Sequence, residues 1–102
     1  NNTETCLYMT RTAEGTLGGK QLVPDSVWFM IKKDMLPPSS PLLKMDLSIE
    51  LPGRILEPLG IVPKSNDILQ RNDGTQWRIM LVEEPANVDW RVHVVRITQA
   101  VT

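Results

Sequence analysis

Cysteine is nearly absent from this chain of 102 residues: Cys6 stands alone. No internal disulfide can form, so the fold does not depend on oxidation, which fits assembly in a reducing cytoplasm. A small residue packed in a strand is the plain reading of that thiol. Histidine is as scarce. His93 has only Asp89 and the Glu83–Glu84 pair near it in sequence, so the clustered ligands of a zinc site are missing. No serine sits at a nucleophile elbow. Glu83 and Glu84, adjacent on a strand, would point to opposite faces and could not act together on one substrate. The expectation is no enzyme, no metal and no cofactor, with His93 on a strand surface or interface.

Long apolar runs are missing too. No stretch reaches the 18 or so residues of a membrane span, and the opening residues carry no signal-peptide pattern, so no membrane partner is expected. A net charge of −1 is too small for binding to nucleic acid through bulk electrostatics. Arg71, Arg78, Arg91 and Arg96 could form a basic sheet face of the OB type. Trp77 and Trp90 fall with the apolar sets, however, and not among the arginines as a stacking platform would require.

What is present is alternation. Trp77, Ile79 and Leu81 alternate with Arg78 and Met80, and Trp90, Val92 and Val94 with Arg91 and His93. This is the period of a strand with one buried face. Asn72-Asp73-Gly74 reads as a type I′ hairpin turn, and Pro85 to Asp89 as a second, looser one. Leu43 to Leu51 alternates most cleanly and predicts a third strand, ended by Pro52-Gly53. Glu4 to Thr12 predicts a strand with Cys6, Tyr8 and Thr10 on one face and Leu7, Met9 and Arg11 on the other. Neither face is cleanly polar. Val27 to Lys33 reads as a strand burying Val27, Phe29 and Ile31. The alternative is a short helix capped by Asp25 or Ser26, with Lys32 and Lys33 near its C-terminal dipole. Arg54 to Val62, holding Pro58 and Gly60, predicts an extended piece and a turn. The predicted core comprises Leu47, Ile49, Trp77, Ile79, Leu81, Trp90, Val92 and Val94.

Two long loops are expected, at about 13–26 and 34–42. The first carries Gly15, Gly18 and Gly19, with Lys20 following. The spacing is not that of a P-loop. The second carries Pro37, Pro38 and Pro41 and is stiffened by them. Both are candidate interface loops. The sum is one all-β domain over residues 1–102, a small antiparallel β-barrel or meander with little or no helix. Closure would remove exposed strand edges.

The segment from Pro63 to Thr98, with its Asp67-Ile68-Leu69, Asp73-Gly74, Trp77-Arg78-Ile79 and final Trp90-Arg91-Val92, resembles the C-terminal half of the small head–tail joining proteins of tailed bacteriophages, the head-closure or stopper group. The likeness covers about a third of the chain. It implies a virion structural protein, assembled in the host cytoplasm, that forms a homo-oligomeric ring in the neck. The implied partners are a portal or adaptor protein, a tail protein and the packaged DNA in the channel. A tail terminator, or a small β-barrel that binds a peptide or nucleic acid, is the alternative reading.

Overall fold

The computed structural model describes residues 3–11, 17–83 and 88–98. Six strands, β1 (Thr3–Arg11), β2 (Leu17–Met30), β3 (Leu47–Leu51), β4 (Ile68–Gln70), β5 (Gln76–Glu83) and β6 (Trp90–Ile97), and one helix, α1 (Gly53–Leu59), make up the regular structure, with two short 3-10 turns at Lys33–Met35 and Pro41–Lys44. The strands close into a barrel in the order β1-β2-β3-β6-β5-β4. Every pairing is antiparallel, and β1 pairs with both β2 and β4. Closure gives each strand two neighbours, although β2 meets β3 only from Val27 to Met30 and β4 spans only three residues of β1 and of β5.

The interior is filled from all six strands. Cys6 and Tyr8 from β1, Val23 from β2, Ile49 and Leu51 from β3, Leu69 from β4, Trp77 and Ile79 from β5, and Val92 and Val94 from β6 form one buried cluster, to which Leu56 and Ile61 add from the helix and its exit. Leu47 and Trp90 pack against it half-buried. On the other face of β1, Met9 is also buried, paired with the buried Ile68.

Several local expectations are corrected. The glycine stretch is strand where it is described: Leu17 pairs with Arg11, and the ladder runs on to Val27 opposite Thr3. Gly18, Gly19 and Lys20 therefore lie on β2 rather than in a loop, whereas Gly15 falls outside the described residues. Low apolar content does not prevent this, because cross-strand hydrogen bonds come from the backbone and the outer face meets water. The ladder breaks between Cys6↔Val23 and Glu4↔Ser26. Pro24, with no N–H to donate, and Asp25, at φ 63°, occupy the resulting bulge. Beyond it the inward side is Ser26, which is buried, and Trp28, which packs on the core. The strand reading of this region holds as far as Met30, with Ile31 beyond the strand and Lys33 opening a 3-10 turn, and with the faces exchanged relative to Val27 and Phe29.

β3 starts at Leu47, not Leu43. Ser40 Oγ accepts from Leu42 N at 3.2 Å, and Pro41 takes the first helical position. Capping and proline together set a helical turn through Lys44, where alternation alone reads as strand. Arg54 to Leu59, read as extended, is helical within α1. The helix stops in a Schellman motif, with Gly60 at φ 71° and Ile61 N donating to Leu56 O at 3.0 Å. Pro58 sits in its last turn, where the loss of one backbone donor is tolerable. The Asn72–Gly74 turn is not type I′. Only Gly74, at φ 88°, is left-handed, and Gly74 N donates to Arg71 O while Arg71 N donates to Thr75 O. This is a type I turn followed by a glycine bulge.

Candidate functional site

The scarce chemistry-bearing side chains are held in three hydrogen-bonded groups. In the first, Asp67 is fully buried just before β4, reached through a left-handed Asn66 at φ 77°. Its Oδ2 accepts from the Tyr8 hydroxyl at 2.5 Å, and its Oδ1 from Lys64 Nζ at 2.8 Å and Arg11 N at 3.0 Å. A buried carboxylate with three donors is satisfied, and it ties β1 to the segment entering β4. Burial, and then the hydrogen bond and charge of Asp67, raise the Tyr8 pKa far above the phenol range.

The second group corrects the expectation for His93, which is 3 % exposed. Its Nδ1 lies 2.7 Å from Ser48 Oγ and its Nε2 lies 2.8 Å from Glu83 Oε2. A carboxylate only accepts, so Nε2 donates to Glu83, and Nδ1 shares the second hydrogen bond with the serine hydroxyl. The connectivity is that of serine, base and acid. Ser48 is itself 3 % exposed, and none of the clefts described below is lined by any of the three residues. The observed role is to link β3, β6 and β5 side by side.

The third group sets Arg54, Arg71, Arg91 and Arg96 against acids and aromatic rings. Arg71 donates twice to Glu4, Nε to Oε2 at 3.2 Å and Nη2 to Oε1 at 2.5 Å, and its guanidinium lies 4.5 Å from the centre of the Trp28 ring. That hydrogen bond is the main cause of a raised Arg71 pKa. Trp28 meets Trp77 edge to face at 6.0 Å, and Arg96 lies over Trp77 at 5.9 Å. Arg91 is bonded to Glu50 and lies 5.0 Å from Phe29, and Arg54 is bonded to Asp25 at 2.6 Å. These arginines neutralise acids and cover aromatic rings.

Exposed apolar side chains stand at both ends of β3. At one end of β3, Met30 pairs with Leu47 and is 80 % exposed, and the following connection carries Met35 at 77 %. Pro37, Pro38 and Pro41 are all exposed on that connection. A shallow cleft of about 460 Å³ separates Pro38–Pro41 from Met45 and Met80. At the other end of β3, Leu51 pairs with Trp90. Here α1, its exit and the start of β6 enclose a cleft of about 470 Å³ lined by Glu57, Ile61, Val62, Val88 and Trp90. Val62 is 68 % and Val88 71 % exposed. Four steps of extended chain, about 13 Å, separate the two ends. A smaller cleft lies beside Asp73, Thr75 and Arg96.

Gly53 holds the second cleft in shape. Its N donates to Asp89 Oδ1 at 3.2 Å, and a Cβ there would lie 1.6 Å from Val88 O. Sequence reasoning missed this cleft because α1 was read as extended. The available signal was the Pro52-Gly53 start and the Gly60 stop around an apolar Ile55, Leu56 and Leu59. The predicted core residue Leu81 is also displaced. A bulge between Ile79 and Leu81 sets Leu81 opposite His93, and Val82 packs on the core instead. Among the described residues, no three His, Cys, Asp or Glu side chains gather as metal ligands, and no helix is long and apolar enough to cross a membrane. No family model matches the chain, and no curated protein or solved structure shows significant similarity to it.

Proposed function

We propose that this chain is a structural ring subunit of a tailed-bacteriophage neck, placed between the portal or its adaptor and the tail, where it closes the head and docks the tail. The observation that carries the reading is the pair of apolar surfaces at opposite ends of β3. Methionine and valine side chains are exposed there to about 70 % or more, on a barrel whose core and buried polar groups are complete. Exposed apolar patches on an otherwise satisfied domain mark protein contacts. The polar groups support the same reading from the other side. Arg54, Arg71 and Arg91 are spent on internal ion pairs, and the buried carboxylate and imidazole hold strands together. A ring subunit has two neighbours in the ring and one partner above and below, so it needs several contact faces on one rigid body. Packaged DNA would meet such a ring only along its channel.

The test is to interrupt the gene in the phage that carries it and to view the lysate by electron microscopy. The expected result is heads that have lost their DNA, lying beside free, unattached tails. Intact infectious particles would overturn the assignment.

A further inference from the structure

We propose that the α1–β6 cleft receives the 31–46 connection of a second copy of this chain. The proposal rests on the ring reading and names the two surfaces that meet within the ring. The surfaces differ in kind. The cleft is concave and fixed by the close approach of Gly53 to the Val88 carbonyl. The connection presents Met35, and Met30 beside it, as exposed side chains. Methionine is unbranched and polarizable and fills irregular apolar recesses well. Three prolines limit the freedom the connection loses on docking.

Charge selects the pairing. Lys32, Lys33 and Lys44 are exposed on the connection against two acidic residues, Asp34 and Asp46, the second of which already accepts from Arg96 N. The cleft is lined by exposed Glu57, and exposed Asp89 lies between its lining residues Val88 and Trp90 and accepts from Gly53 N, while its one arginine, Arg54, is already bonded to Asp25. A basic rim around an apolar projection therefore faces an acidic rim around an apolar recess, which sets orientation and register between copies. Because the surfaces lie at opposite ends of β3, no copy can satisfy itself, and under the ring reading the contact is heterologous rather than a reciprocal two-fold pair. Repetition propagates head to tail and closes into a ring when the rotation permits.

Paired cysteines test this directly. Met35→Cys and Val88→Cys alter exposed positions, and Cys6, 1 % exposed, stays silent. Under mild oxidation the double variant is expected to give a ladder of disulfide-linked dimers, trimers and higher species. An equimolar mixture of the two single variants should stop at dimers, and each single variant alone should give none. Adding Glu57→Lys to the double variant should cut the ladder several-fold at low salt. Dimers from one single variant alone, or a ladder insensitive to Glu57→Lys, would overturn the contact as described. An oligomer of fixed size by light scattering without the cross-link would overturn the surface assignment and leave the ring standing. A monomer at every concentration would overturn self-recognition by these surfaces. The gene-interruption phenotype, read separately, decides the ring.

Discussion

The Tyr8 hydroxyl donates to the buried Asp67 carboxylate at 2.5 Å, joining residues 59 positions apart. With Lys64 and Arg11 N also on that carboxylate, the bond fastens the first strand of the barrel to the approach to the fourth. Tyr8→Phe removes one donor to a charged acceptor and should cost about 1.5–3 kcal/mol. Asp67→Ala leaves a buried hydroxyl unpartnered and an ammonium without its acid, and should cost more than Tyr8→Phe. Urea denaturation of the three proteins checks the order.

The same burial gives the fold an alkaline limit. Desolvation pushes the Cys6 thiol up to about 11 from 9.0, against the opposing hydrogen bond of Ser26. A raised pKa means that the folded state holds its proton more tightly than the unfolded state. The associated stability is complete below pH 9 and is lost as pH climbs to 11, about 2–3 kcal/mol in all. Tyr8, also raised, adds a loss of the same sign beginning near pH 10. Unfolding free energy measured from pH 8 to 11 should fall steadily, and the slope should flatten in a Cys6→Ala, Tyr8→Phe double variant.

Gly53→Ala sets helix propensity against packing. Alanine favours a helix by about 1 kcal/mol over glycine. Its methyl, however, would lie 1.6 Å from a backbone carbonyl that is not a flexible side-chain end. Overpacking of this kind costs about 1–3 kcal/mol or more, so the variant should be net destabilised. Loss of the α1–β6 cleft would follow, visible as altered amide signals at Val62 and Val88.

Trp77, 9 % exposed, packs on Trp28 and donates its Nε1 proton to Thr75 Oγ1 at 2.9 Å. Trp77→Ala should cost roughly 3–5 kcal/mol. A loss under about 1 kcal/mol would show that the ring contributes little to the core.

Met35→Ser should do the reverse. At 77 % exposure the side chain has little to lose on folding, so stability should stay within about 0.5 kcal/mol of the parent. Association between copies should weaken. Calorimetry and light scattering on one preparation separate the two effects.

The barrel was legible because period-two alternation survives wherever one face of a strand is buried, as at Ile49, Ile79, Val92 and Val94. It failed where something other than burial sets the backbone. Ser40 and Pro41 make a helical turn that alternation cannot see, and a bulge shifts the phase so that Val82 replaces Leu81. Pro24 and Asp25 exchange the faces of β2 in the same way. The strand character of Gly18 to Gln21 comes from β1 across the ladder and leaves no trace in its own residues. The site was least legible. His93 takes one partner, Glu83, from the preceding strand but the other, Ser48, from 45 residues away, and the α1–β6 cleft depends on a helix that its internal proline argues against.

The proposed neck role requires this barrel to be incorporated into the virion. Quantitative mass spectrometry of purified particles from the phage that encodes it tests that claim most directly. The account predicts the chain in every particle preparation, in a fixed small-number ratio to the portal protein. Its absence from particles, or a trace amount varying between preparations, would contradict it.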